Sequence, residues 1–186
     1  MAAKACDELS RVVGCPTFQL SFNGEQLIMY KKIMVPLDGS ELAECVMPHV
    51  EAITIGCKVT SVVFVRVVNP VHLPASVPAR GEFGFSETER QQMHVQHKQA
   101  AEAYLKKMVA STRFESAVLS HAGLEGKVAD TLAHWAETNE VDLIFIASHG
   151  RSGVSRWIMG SVAERVLRSA CVPVLMIRAP GCFPGI

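Results

Sequence analysis

The sequence predicts a single α/β domain, a five-stranded parallel doubly wound sheet. Three observations lead there. Strand-like and helix-like segments alternate from Lys31 to the end of the 186-residue chain. Most strand-like segments are short, nearly unbroken apolar runs, as in strands covered on both faces. Most of them are separated by stretches long enough to hold a helix, which parallel neighbours need and hairpins do not. Right-handed crossovers would then wind helices over both faces of one sheet.

Taken in order, Ile33-Met-Val-Pro-Leu37 is a strand ended by the turn Asp38-Gly-Ser40, with Ser40 placed to cap a helix. Leu42, Val46, Val50 and Ile53 fall on one helical face, and Pro48 inside that stretch predicts a kink or an early end. Val59 to Val68 is a β-branched strand. Residues 69–85 form a long loop with prolines, glycines and no periodicity. Ser86 and Glu89 have capping-box spacing before a helix carrying Met93, Ala100, Ala101, Tyr104 and Met108. Ala117 to His121 is a short strand, and Val128, Leu132, Trp135 and Ala136 mark a helix. Val141 to Ile146 is a buried strand, followed by a loop with glycines at 150, 153 and 160 and a helix with Val162, Val166 and Leu167. Val172 to Ile177 is the last strand. Ahead of these elements, residues 18–29 carry a hairpin pattern around Asn23-Gly24. An isolated hairpin is marginal, so residues 1–28 are expected to be a weakly ordered extension.

Lys plus Arg and Asp plus Glu number 18 each, so no overall field draws this chain to nucleic acid or to an anionic membrane. No apolar run has the length of a bilayer span. Cys6, Cys15, Cys45, Cys57, Cys171 and Cys182 include no C-x-x-C pair, which reads as reduced thiols in a cytoplasmic protein. Val12-Val-Gly-Cys15 has the outline of a lipoprotein cleavage box. Lys4, Asp7, Glu8 and Arg11 leave no apolar segment before it, so no secretory signal is expected.

The chemistry is expected where the Val141–Ile146 strand gives way to Ala147-Ser-His-Gly150 and, after nine further residues, to Gly160-Ser161-Val162. A helix start offers free N–H groups and the positive end of a dipole, and glycines let a ligand approach the backbone. Arg151, Arg156, Arg165 and Arg168 outnumber Glu164 nearby, which favours an anion such as phosphate. The loop is neither a Walker A motif nor a Gly-x-Gly-x-x-Gly fingerprint. In a doubly wound sheet, ligands bind beyond the carboxyl ends of strands at the switch in strand order, where Asp38 also falls. Asp38 could serve as nucleophile, metal ligand, ligand acceptor or turn former. His94 and His97 share a helical face, but neighbouring Gln and Lys residues mark it as solvated rather than metal-binding. His149 could donate to an anion or simply face solvent. No catalytic triad is recognisable, and no metal site is expected.

Lys32-Ile-Met-Val-Pro-Leu-Asp-Gly-Ser40, the Ala147 to Arg168 stretch and Val172-Pro-Val-Leu-Met-Ile177 together resemble the universal stress protein family, over roughly Met29 to Arg178. The resemblance implies an adenine nucleotide alpha hydrolase-like fold, with residues 1–28 an extension, 29–179 the domain and 180–186 a tail. It implies ATP, with or without Mg2+, as cofactor. Gly150, Gly160, Ser161 and Val162 would meet phosphates and ribose, Pro36 and Asp38 would lie beside the nucleoside, and Val67 would offer its backbone to adenine. The family signature is Gly, two residues, Gly, nine residues, Gly, then Ser or Thr, and its first glycine is Ala147 here. Alanine adds a methyl and restricts positive φ. The implied role is an adenine-nucleotide-binding regulatory module in stress response, a homodimer through Val172–Ile177. The alternatives are a nucleotide-free dimer acting through protein partners, or a slow ATP hydrolase.

Overall fold

The computed structural model describes residues 30–70, 87–115, 117–149 and 160–178. Strands β1 (Lys32–Pro36), β2 (Ser61–Val68), β3 (Val118–Glu125), β4 (Leu143–Ala147) and β5 (Val174–Ile177) form one sheet. The helices are α1 (Glu41–Glu44), α2 (Met47–Gly56), α3 (Glu87–Ser111), α4 (Val128–Thr138) and α5 (Ser161–Ser169). Every strand pair is parallel and the order is β3-β2-β1-β4-β5. The chain steps outward from β1 to β3, then returns to the other side of β1 to lay down β4. The gap between β1 and β4 is therefore the switch point.

Strand alternation divides the interior into two cores. Ile33, Val35, Phe64, Leu143 and Phe145 pack on one face with Ala43, Val50 and Leu105 of α1, α2 and α3. Met34, Val63, Val65, Ile144 and Ile146 pack on the other with Leu132 and Val166 of α4 and α5. All five residues of β4 are buried, which is why it reads as an uninterrupted apolar run.

Several boundaries differ from the expected ones, starting with β1, which runs Lys32–Pro36, and β2, which begins at Ser61. The helix after β1 is broken: α1 ends at Glu44, and α2 begins at Met47 with Pro48 in its first turn. A proline there lacks only an N–H that had no helical partner anyway. β3 runs on to Glu125 as an edge strand with exposed and half-buried residues, so Gly123 and the polar His121 and Glu125 masked it in the sequence. β4 starts at Leu143 because Glu140 has φ 54° and the N–H of Val141 donates back to the carbonyl of Ala136, closing α4. A carboxylate oxygen of Asp142 then accepts from the amides of Lys31 and Lys32, both at 2.8 Å, tying the starts of β1 and β4 together. β5 begins at Val174, two residues later than expected, since Pro173 cannot donate to a ladder. The hairpin pattern of residues 18–29, the 71–85 part of the loop and Ser86 of the capping box lie outside the described residues. Among the described residues no helix is long and apolar enough to cross a membrane.

Candidate functional site

A crevice of about 620 Å³ opens beyond the carboxyl ends of β1, β2 and β4, a size typical of small-molecule sites. Pro36 and Asp38 line it from β1, Val67 from β2, Ala147 from β4, and Gly160, Ser161 and Val162 from the start of α5. Gly150 lies outside the described residues.

Asp38 shapes its own turn. Its Oδ1 accepts hydrogen bonds from the amide of Ser40 at 2.9 Å and from the Ser40 hydroxyl at 2.6 Å. The Ser40 oxygen in turn accepts from the amide of Ala43 at 3.2 Å, so it caps α1 as its position predicts. Gly39 between them has φ 86°, a left-handed conformation that favours glycine. Asp38 thus combines a turn-forming role with a place on the crevice wall. Among the described residues no group of three His, Cys, Asp or Glu side chains is placed to hold a metal.

The start of α5 supplies donors. Gly160 is its N-cap and makes no side-chain cap, while the first intrahelical bond runs from Glu164 N–H to Gly160 C=O at 2.9 Å. The amides of Ser161, Val162 and Ala163 therefore lie in the first turn, ahead of the helical ladder. Ser161 is exposed and Val162 is 38% exposed. Gly160 itself serves a different end from the expected one. Its φ of −58° suits any residue, but a Cβ there would stand 2.9 Å from the backbone oxygen of Ser148. The missing side chain lets α5 approach the end of β4, rather than clearing room for a ligand alone.

Ala147 also differs from its expected effect. It ends β4 in extended conformation without positive φ, and its methyl packs in the first core with Val35 and Ala43. The backbone makes no demand for glycine there.

The expected surplus of arginines is reduced. Arg165 pairs with Asp130 at 3.2 Å and Arg168 with Glu164 at 2.7 Å; both arginines are well exposed and neither lines the crevice. Arg151 and Arg156 lie outside the described residues. A different cation, Arg66 of β2, lines the crevice and lies over the Tyr104 ring, 5.0 Å from its centroid. Tyr104 donates to Glu44 at 2.8 Å, and burial, followed by that bond, pushes its hydroxyl pKa well above the usual range. The only sequence signal for this site was a single arginine inside a valine-rich strand. His149 lines the crevice, its Nδ1 in a 3.0 Å hydrogen bond with Ser148 Oγ. His97 lines it too, whereas His94 faces away and meets Glu125 at 2.9 Å. The two imidazoles do not converge.

The family model for the universal stress protein family matches residues 29–178. The chain is 34% identical to universal stress protein MJ0531 of Methanocaldococcus jannaschii over 159 residues, covering 85% of this chain and 86% of that protein. It superposes on the solved structure of MJ0577 with a TM-score of 0.66 at 23% identity, covering 82% of this chain and 99% of the other. A universal stress protein in complex with cAMP shares the fold at a TM-score of 0.51 and 17% identity, with coverage of 81% and 98%.

Proposed function

The chain belongs to the universal stress protein family, and we propose that its crevice binds an adenine nucleotide, ATP foremost, as the switch of a regulatory module in stress response. The observation that carries this reading is the start of α5, where the amides of Ser161, Val162 and Ala163 border a crevice whose other wall holds Asp38. Amides in the first turn of a helix and the helix dipole favour phosphate, and Ser161 adds a hydroxyl. Val67, Val128 and Leu132 make an apolar wall suited to adenine. Gly150 would complete the phosphate loop, and Pro36 and Asp38 would flank the nucleoside. Mg2+ would arrive with the phosphates of ATP. That a protein of the same fold holds cAMP agrees with this assignment.

The same reading gives a homodimer joined through β5, an edge strand of the sheet among the described residues, and a cytoplasmic location in keeping with six scattered cysteines that include no C-x-x-C pair. The domain spans residues 29–179, flanked by an extension at 1–28 and a tail at 180–186. Titration of the purified chain with labelled ATP and AMP tests the proposal. Saturable binding of either supports it. No binding at millimolar nucleotide would leave the nucleotide-free dimer as the better account.

A further inference from the structure

The nucleotide reading uses the α5 side of the crevice and its apolar wall. A third wall lies between α1 and α3, where Ala43 and Ala100 line the crevice together with Arg66 and His97. Among the described residues lining the crevice, Arg66 is the one with a permanent positive charge.

Its position is set from three elements. Arg66 follows Val65, which pairs with Pro36 and accepts the amide of Leu37 at 2.8 Å, so Arg66, inside β2, stands beside the point where the chain leaves β1 toward Asp38. The guanidinium lies over the Tyr104 ring of α3, and the Tyr104 hydroxyl is held by Glu44 of α1. Stacking engages the face of a guanidinium, whereas its five N–H donors lie in its plane. His97, Ala100 and Tyr104 recur at helical spacing, so His97 lies on the same side of α3 as the stack.

A ligand with phosphates at α5 and a ribose beside Asp38 would bring the 2′ and 3′ oxygens toward this third wall. A carboxylate alone would repel a phosphate on those oxygens. A neighbouring arginine reverses that preference, as it does in dinucleotide sites that admit a ribose phosphate.

We infer that Arg66 is an anion-recognising residue and that the site favours adenine nucleotides carrying a second phosphate on the ribose. This inference rests on the nucleotide reading above. Calorimetric titration of the full chain with AMP and with the adenosine bisphosphates phosphorylated at the 2′ or 3′ oxygen tests it. One bisphosphate is expected to bind about tenfold tighter than AMP, with most of that advantage lost in Arg66→Gln. Arg66→Lys, which keeps charge but not the planar fork, is expected to retain part of it, and provides the comparison should Arg66→Gln not fold. Bisphosphates binding no tighter than AMP, or an advantage that survives Arg66→Gln, would overturn the inference and leave nucleotide binding standing. Absence of binding by every nucleotide would overturn both.

Discussion

The amide of Gly160 donates to the carbonyl of Ser148 at 2.9 Å, and a Cβ on Gly160 would lie 2.9 Å from that same oxygen. One contact thus seats the first turn of α5 against the end of β4 and forbids a side chain at the seat. Gly160→Ala must displace either backbone, neither of which is the yielding end of a flexible chain. A loss of about 1–3 kcal/mol is expected, together with weakened ATP binding. Thermal melts beside ATP titrations check this; full stability with Gly160→Ala would show that the seat can shift.

Ser161→Ala separates ligand contact from architecture. Ser161 is exposed in the first turn of α5, and its backbone amide survives the change. ATP affinity is expected to fall about tenfold, the loss of one hydrogen bond to a charged group, with the melting temperature nearly unchanged. Unaltered affinity would remove the hydroxyl, though not the amides, from the phosphate site.

Asp38→Ala is expected to act on both stability and binding. It deletes the oxygen that accepts the amide and hydroxyl of Ser40, which in turn caps α1. The structural part should be about 1 kcal/mol. The binding part should weaken ATP and adenosine alike, because Asp38 lies on the nucleoside side of the proposed ligand. A loss confined to ATP would move Asp38 to the phosphates.

Much of this arrangement is legible in the sequence, and the limits have physical causes. β1, β2 and β4 are covered on both faces and declare themselves as apolar runs, while β3 lies at an edge and mixes Leu119 and Leu124 with Ser120, His121 and Gly123. Asp38, Gly160 and Ser161 stand at strand ends and a helix start, positions that local sequence marks. Arg66 does not, because its significance comes from Tyr104 and Glu44, distant in sequence and joined only by packing. The same holds for Arg165, near the glycine loop in sequence but engaged by Asp130; Arg168 pairs with Glu164 one turn away on its own helix. The steric role of Gly160 is likewise invisible until Ser148 is beside it.

Helix α3 is clasped to edge strand β3 by two matched sets of side chains, and these should give the fold an acid limit. Glu102 meets His121 and Lys106, while Glu125 meets Lys98 and His94. Both carboxyls are held below their ordinary value of 4.5, Glu102 first by the His121 hydrogen bond and Glu125 first by Lys98. A carboxyl with a depressed folded pKa contributes above its unfolded pKa and loses that contribution as pH falls through the folded one. The melting temperature should therefore decline below about pH 4.5, from this source among others. The double substitution Glu102→Gln, Glu125→Gln should flatten that part of the profile. An unchanged acid limb in this variant would show that the clasp adds nothing.

The last prediction concerns β5, which stands last in the strand order and, among the described residues, pairs with β4 alone. Among the described residues no strand pairs with its outer edge, and such an edge invites a second strand. Leu175 pairs with Phe145 in register and lies on the same face, yet it is 39% exposed whereas Phe145 is fully buried. Among the described residues the helices of that face therefore leave Leu175, an apolar side chain, partly uncovered at the edge strand. A twofold axis there would pair the two edges and cover both copies of Leu175 at once. Leu175→Lys is expected to place charges against each other across that axis and shift the chain toward monomer. Its folded core should survive, since the side chain is already partly in water. Sedimentation at micromolar concentration checks this, with the melting temperature as control. A wild-type monomer, or a Leu175→Lys variant that stays dimeric, would exclude the β5 edge as the dimer interface.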